Sequence, residues 1–213
     1  MGRVTGRQRL SLTRPPVGPA PIPVIARPDE AWRAHVRRAG PSSGAWWFTS
    51  TPDGRFDLEA PKGTCYLASD ATSALRERLG PTLSGVSSVE AADVDGVAVS
   101  RLPIPRGRDF ADTTAGDAVK IPGLTREICT VVDYDLTRAW AAWFDKHHCG
   151  GVRYSARHTT AVGSLSYALF GKAGTRTTRP REVLDAREVA AAAGLQIVPD
   201  DVPDADIDVI DVP

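Results

Sequence analysis

A group of three consecutive residues and one that follows them could bind a metal ion. His147, His148 and Cys149 are consecutive, and His158 follows shortly after them. Zinc sites use nitrogen and sulfur ligands at regular spacings, and no such spacing occurs here. Adjacent residues on a helix also point about 100° apart and rarely converge on one ion. We therefore expect no metal site and interpret these residues as a helix end, where histidine favours the negative end of the helix dipole.

Arginine clusters are the second candidate for chemistry, because guanidinium groups bind phosphate. Arg101, Arg106 and Arg108 lie close together, as do the arginines between positions 33 and 38. However, 26 Lys and Arg residues balance 26 Asp and Glu residues, and no aromatic residues interleave with the arginines as in base-stacking surfaces. The motifs of Rossmann, P-loop, serine hydrolase and zincin sites are also absent. We expect no direct nucleic-acid partner.

The composition is that of an ordinary globular domain, with 213 residues, 42% of them hydrophobic and 24% charged. No apolar run approaches the ~20 residues of a membrane span, and the first residues lack the apolar core of a signal peptide. Cys65, Cys129 and Cys149 are odd in number and form no CxxC pair, which favours reduced thiols. These features predict a cytoplasmic protein without a membrane partner.

The chain divides into three regions. Residues 1–28 are rich in proline and predict an extended arm, residues 29–198 form the domain, and residues 199–213 are an acidic and flexible tail. Predicted strands outnumber helices and do not alternate with them regularly, which favours the α+β class over a doubly wound sheet.

The individual elements follow from local patterns. Predicted strands are Ala45–Thr49, Thr64–Ala68, an edge or terminating strand Val94–Ile104, Thr130–Leu136, Val152–Ser155 and Ser164–Phe170. Predicted helices run from a cap at Ser69 or Asp70 to about Leu79, from a cap at Thr137 through His147 to a stop at Gly150, and over Arg181–Ala193. The segment around Trp32 fits a short helix or a strand, and Gly107–Thr125 a long loop.

Several short segments, taken in order, resemble the RES domain family. They are Trp32-Arg33-Ala34-His35, Gly54-Arg55-Phe56, Gly63-Thr64-Cys65-Tyr66-Leu67-Ala68 with Ala74-Leu75-Arg76-Glu77, Gly151-Val152-Arg153-Tyr154-Ser155, and Tyr167-Ala168-Leu169-Phe170-Gly171. The family is named after an arginine, a glutamate and a serine, which correspond here to Arg33, Glu77 and Ser155. The resemblance spans the chain from about Asp29 to Val198.

The resemblance implies a fold similar to ADP-ribosyltransferases, with mixed and antiparallel sheets forming a split core flanked by helices. It also implies an enzyme that degrades NAD by cleaving the nicotinamide–ribose bond through hydrolysis or phosphorolysis. NAD would be the substrate, inorganic phosphate a possible co-substrate, and no cofactor would be needed. Family members often serve as bacterial toxins that are held inactive by an antitoxin with a helix-turn-helix domain. The alternatives are a non-catalytic NAD or nucleotide-binding regulator and a protein ADP-ribosyltransferase.

The resemblance assigns roles to seven residues. The catalytic set is Arg33, Tyr66, Glu77 and Ser155, and the substrate-binding set is Arg55, Arg157 and His158. Either Arg33 or Arg55 fits the key arginine, since a guanidinium can hold a phosphate through two parallel hydrogen bonds. A carboxylate such as that of Glu77 would stabilise positive charge as the ribose becomes oxocarbenium-like.

Each of these residues also has an ordinary structural interpretation. Glu77 falls away from the apolar helix face and fits a solvated or boundary position. Tyr66 lies within a strand, where it could pack in the core with a satisfied hydroxyl or stack on nicotinamide. Ser155 could close a turn at a strand end, and the arginines could be surface residues.

Overall fold

A computed structural model of the chain describes residues 11–80, 87–159 and 163–199. The start of the proline-rich arm, the Pro81 that follows the predicted helix stop at Gly80, and the acidic tail from residue 200 lie outside the described residues. None of the helices in the described part of the chain has the length and apolarity that a membrane crossing requires.

The described residues form short strands and four α-helices. The strands are β1 (Val24–Ile25), β2 (Glu30–Val36), β3 (Trp47–Phe48), β4 (Lys62–Ala68), β5 (Ser88–Glu90), β6 (Val97–Pro103), β7 (Phe110–Asp112), β8 (Gly151–Ser155), β9 (Leu165–Lys172), β10 (Gly174–Thr175), β11 (Glu182–Asp185) and β12 (Gln196–Val198). The helices are α1 (Ala71–Leu79), α2 (Ala91–Val94), α3 (Tyr134–Lys146) and α4 (Ala186–Ala192), with 3₁₀ turns at Gly116–Lys120 and Arg126–Cys129.

Eight strands form one sheet in the order β1-β7-β8-β9-β4-β2-β6-β11, in which only β7 and β8 are parallel. Strand β4 pairs with β9 along its whole length, and β2 pairs likewise with β6. Between β2 and β4, however, the single register pair is Trp32 with Ala68. The sheet therefore consists of two well-paired halves that diverge between β2 and β4. The predicted α+β class with a split core is confirmed.

Two hydrophobic clusters cover one face of this sheet, one on each half. The first packs α3, through Trp140 and Phe144, against Phe56 and the inner residues of β8 and β9. The second packs α1 and α4 against β6. A third cluster, which includes Trp46 and Phe48, covers the opposite face. A cleft on the first face, between its two clusters, lies over the point where the sheet divides.

Three predicted elements are wrong because a cap or a distant strand decided the structure. The segment Thr130–Leu136 is not a strand, since Asp133 accepts a hydrogen bond from Leu136 N at 3.2 Å and caps α3. Thr137, predicted as the cap, is fully buried inside that helix. The first part of the predicted helix Arg181–Ala193 is strand β11, which pairs with β6.

Strand β6 is therefore not an edge strand, because β2 and β11 flank it. The predicted loop Gly107–Thr125 contains β7, which is held by parallel pairing to β8. The ambiguous segment around Trp32 is a strand, fixed by its pairing to β6. In the proline-rich segment, Leu12 is buried in the cluster around α3 and β1 pairs with β7.

Candidate functional site

Two adjoining cavities of about 300 and 210 Å³ occupy the cleft. Both are lined by Tyr66, Glu77 and Tyr154, so these three residues mark their junction. The larger cavity is also lined by Trp32, Arg33, Ala34, Leu67, Ala68, Ala74, Arg78 and Ser166. The smaller one is also lined by Asp53, Gly54, Arg55, Tyr134, Arg157 and His158. Small-molecule sites range over roughly 300–1,000 Å³, so the two parts together have a suitable size.

Helix α1 brings Glu77 to this junction. The helix begins where the Asp70 carboxylate accepts a hydrogen bond from Ser73 N at 2.7 Å, and it buries Leu75 and Leu79 in the core. Glu77 lies off that apolar face, as its position on the helix predicts, and is half-buried.

The Glu77 carboxylate is held in place by the main chain of the loop after β8. Its Oε1 accepts hydrogen bonds from the backbone N–H groups of Arg157 at 2.6 Å and His158 at 2.9 Å. No residue that the structure describes donates a hydrogen bond to Oε2. The carboxylate is thus oriented through one oxygen and can offer the other to a ligand.

The hydroxyl of Tyr66 is occupied by protein partners. It donates to Asp57 Oδ1 at 2.8 Å and accepts from Phe56 N at 2.8 Å. Burial, together with the Asp57 carboxylate, raises the pKa of Tyr66 well above its usual value. Tyr66 therefore stays protonated, and its ring is the part that faces the cavities.

The turn before Phe56 requires a glycine because its backbone lies against this hydrogen-bonded pair. Gly54 N donates to Asp57 Oδ2 at 2.7 Å, and a Cβ at position 54 would lie 2.5 Å from both Asp57 Oδ1 and the Tyr66 hydroxyl. Such contacts are shorter than real Cβ atoms show. Gly54 thus lets the turn close around the Tyr66 hydroxyl.

Arg33 is anchored by the aromatic segment that precedes β4. Its Nη1 donates to the carbonyls of Ala45 at 2.8 Å and Trp47 at 3.1 Å and lies 3.5 Å from Cys65 Sγ. Arg33 pairs with no carboxylate among the described residues. Its positive charge is therefore available to an anion in the larger cavity.

Arg55 lies on the other side of the junction and is largely engaged with the protein. It is 8% exposed, and its Nη1 donates to Val131 O at 2.5 Å and Ile128 O at 3.3 Å. Its guanidinium also lies over the Tyr134 ring, 5.0 Å from the centroid. These contacts tie the loop before α3 to the turn that holds Tyr66.

Arg157 and His158 follow β8 and line the smaller cavity. The Arg157 side chain is exposed, and that of His158 is partly buried. Burial lowers the pKa of His158, although the nearby Glu77 carboxylate acts in the opposite direction. His158 is therefore neutral at pH 7.

The structure brings six of the seven predicted residues to the cleft, and the exception is Ser155. Its side chain is exposed and lines neither cavity, because alternation along β8 points it away from the face that carries Tyr154. The serine in the larger cavity is Ser166, which pairs with Tyr154 across the sheet. Ser166 is 1% exposed, and its Oγ makes no hydrogen bond within the described residues.

The prediction missed Tyr154, Ser166 and Arg78. Burial and the Glu77 carboxylate raise the pKa of Tyr154, so this residue is a neutral wall of the cleft. The signal for Tyr154 and Ser166 was strand alternation combined with register, because both share a face with Tyr66. For Arg78, the sequence signal was its position directly after Glu77 in α1.

The histidines and cysteine at the end of α3 have structural contacts. His147 Nδ1 lies 2.8 Å from Trp143 O at the helix C-terminus. Cys149 is buried in the cluster around α3, and burial raises its pKa to about 11. The part of the chain that the structure describes has no group of three or more His, Cys, Asp or Glu side chains that could hold a metal ion.

Comparison with known proteins supports both the fold and the family. A chain in the crystal structure of the M. tuberculosis MbcT–MbcA toxin–antitoxin complex is similar to this one, with a TM-score of 0.52 and 18% sequence identity. The similarity covers 79% of this chain and 92% of that chain, and at this identity it concerns the fold alone. No curated protein matches the sequence significantly. The model of the RES domain matches residues 30–191, from β2 to α4, and the chain therefore belongs to the RES domain family.

Proposed function

We propose that the protein binds NAD in the cleft and cleaves the bond between nicotinamide and ribose, with water or inorganic phosphate as the acceptor. The observation that carries this proposal is the Glu77 carboxylate, oriented by two backbone N–H groups at the junction of the cavities. Membership of the RES domain family supports the choice of NAD as the substrate.

The reaction requires no general acid from the protein. The C1′–N bond breaks, its electron pair goes to the nicotinamide nitrogen, and nicotinamide leaves as a neutral base. The ribose becomes oxocarbenium-like, and the Glu77 carboxylate stabilises that charge. An oxygen of water or phosphate then forms the new C1′–O bond, and a proton is released to solvent when water is the acceptor.

The remaining residues bind and shield the dinucleotide. Arg33, which has no carboxylate partner in the described part of the chain, offers its guanidinium to the pyrophosphate. The Tyr66 ring offers a flat face to nicotinamide, since its hydroxyl is already occupied. The buried Tyr154 and Ser166 exclude water from the sheet side of the cleft.

The direct test is incubation of the purified protein with NAD, with and without inorganic phosphate, followed by chromatography of the products. Hydrolysis yields nicotinamide and ADP-ribose, whereas phosphorolysis yields nicotinamide and a phosphorylated ADP-ribose. Recovery of NAD intact despite measurable binding would contradict the enzyme and favour a regulator. Transfer of label from NAD to protein would favour an ADP-ribosyltransferase.

We also propose that the protein acts as a toxin that a partner holds inactive. Support comes from the family and from the fold neighbour, which was solved in a toxin–antitoxin complex. Induced expression in a bacterial host should deplete NAD and stop growth, and the variant Glu77→Gln should do neither. Co-expression of a helix-turn-helix protein encoded next to this one should restore growth. Growth arrest by both forms of the toxin would contradict NAD loss as its cause.

A further inference from the structure

A third cavity, of about 150 Å³, continues the cleft beyond Arg33. It shares Arg33, Ala34 and Arg78 with the larger cavity of the proposed NAD site and adds Arg38 and Trp47. The three cavities therefore form one groove, with Glu77 toward one end and Trp47 at the other. We call the part lined by Arg33, Arg78, Arg38 and Trp47 the arginine wall.

The arginine wall brings together guanidinium groups that form no ion pairs with carboxylates among the described residues. Arg78 is exposed on its outer side, and its partial burial, followed by the nearby Arg33 guanidinium, lowers its pKa, while Asp93 acts the other way. Neither Arg33 nor Arg78 forms an ion pair with a carboxylate among the described residues. Two neighbouring guanidinium groups that face one cavity are stabilised by an anion with several oxygens between them.

The outer end of the wall offers an aromatic surface. Trp47 is 43% exposed, although its neighbours Trp46 and Phe48 are buried. The Arg38 guanidinium lies over the Trp47 ring at 5.8 Å from the centroid. An exposed indole with a stacked guanidinium is a surface on which a planar base can lie.

The opposite end of the groove has a different charge. In the smaller cavity the carboxylates of Asp53 and Glu77 balance the guanidinium groups of Arg55 and Arg157, whereas the arginine wall has no carboxylate among its lining residues. A cationic nicotinamide ring is better accommodated there than beside the arginine wall, because like charges repel in a partly buried site. The charges along the groove therefore favour one orientation of the dinucleotide.

We propose that the arginine wall binds the ADP half of the substrate, an assignment that rests on the proposed function. Arg33 and Arg78 hold the pyrophosphate, and Trp47 with Arg38 holds the adenine. Arg78 is a binding residue, and Trp47 determines preference for a purine at this end.

The test is calorimetric titration of the purified protein with ADP, combined with NAD kinetics. Arg78→Gln should weaken ADP binding roughly 10–100-fold and raise KM for NAD by a similar factor, while kcat changes much less. Arg78→Lys keeps the charge but loses the planar guanidinium, so its affinity for ADP should lie between those of the wild type and Arg78→Gln. Trp47→Leu should weaken ADP binding roughly 10-fold.

Arg76→Gln is the matched control. Arg76 is on the same helix, contacts Ala193 O at 3.5 Å and lines none of the three cavities, so its removal should leave ADP binding unchanged. Circular dichroism of each variant shows whether it folds. If Arg78→Gln does not fold, Arg78→Lys replaces it in the binding and kinetic measurements.

The outcomes separate the two proposals. ADP binding and KM that are unchanged in Arg78→Gln, or changed equally in Arg76→Gln, overturn the arginine wall even when NAD is cleaved. If ADP binding depends on Arg78 but the protein leaves NAD intact, the result supports the arginine wall as an ADP site and overturns the proposed NAD-cleaving activity.

Discussion

Substitution of Glu77 by glutamine is the sharpest test of the proposed chemistry, because it removes a charge and keeps a shape. The amide oxygen of the substituted side chain can accept the same hydrogen bonds from Arg157 N and His158 N that Glu77 Oε1 accepts now. Bonds to a neutral acceptor are weaker, so we expect a loss of about 1 kcal/mol in the free energy of unfolding. That corresponds to a fall of roughly 2–4 °C in Tm.

The effect on catalysis should be much larger. A carboxylate oxygen about 4 Å from a developing unit charge contributes about 4 kcal/mol at an effective dielectric constant of about 20. Because about 1.4 kcal/mol corresponds to tenfold in rate, kcat should fall about 10³-fold. The positive charge is on the nicotinamide ring in the ground state and moves to the ribose in the transition state, so kcat should fall by a larger factor than KM rises.

The assay is release of nicotinamide from NAD at saturating substrate, with Tm measured on the same samples. Glu90→Gln is the control, since Glu90 is exposed and outside the cleft cavities, and its kcat should equal that of the wild type. A Glu77→Gln enzyme that retains kcat within tenfold of the wild type would refute electrostatic stabilisation by this carboxylate.

Two further predictions concern the framework of the site. Gly54→Ala places a methyl group 2.5 Å from an Asp57 carboxylate oxygen and should destabilise the fold by about 1–3 kcal/mol in denaturant titrations, whereas Gly18→Ala, which meets open space, should have little effect. Burial acts to raise the pKa of Asp112, but hydrogen bonds that include those from Arg153 outweigh it and lower that pKa. Its stabilisation is therefore present above about pH 4 and is lost as pH falls through the lowered pKa. Asp112→Asn should cost about 2–4 kcal/mol at pH 7 and reduce the loss of stability at acidic pH, and equal acid sensitivity of both forms would contradict this account.

Elements with strong local signals were predictable. Helix α1 follows from a capping aspartate at Asp70 and a stop at Gly80, both of which the structure uses. Strands β4, β8 and β9 follow from short β-prone runs between turn residues. These signals involve neighbouring residues only, so tertiary contacts reinforce them and do not change them.

Elements that depend on a distant partner were not predictable. The segment Glu182–Asp185 continues into a helix and carries a helix-like pattern, but β6 offers it a strand edge and it pairs there. Strand β7 has only three residues and gains its pairing from β8, which lies far along the chain. Strands this short have no period of their own to detect, and their partners are not visible in local sequence.

The site divides in the same way. Residue types and family resemblance predicted a site with Arg33, Tyr66 and Glu77, and the structure places these three residues at the cleft. The cavity itself exists because β2 and β4 share one register pair and then separate, and because hydrophobic clusters on either side keep the cleft open. That divergence selects which side chains face the cleft, and it places Ser166 there and Ser155 outside.

The amino-acid sequence alone thus determines which chemical groups are present and where many helices and strands begin and end, since these boundaries depend on residues a few positions apart. The packing of distant strands decides which of those groups meet, because a face of a sheet is shared only among residues that long-range register brings side by side.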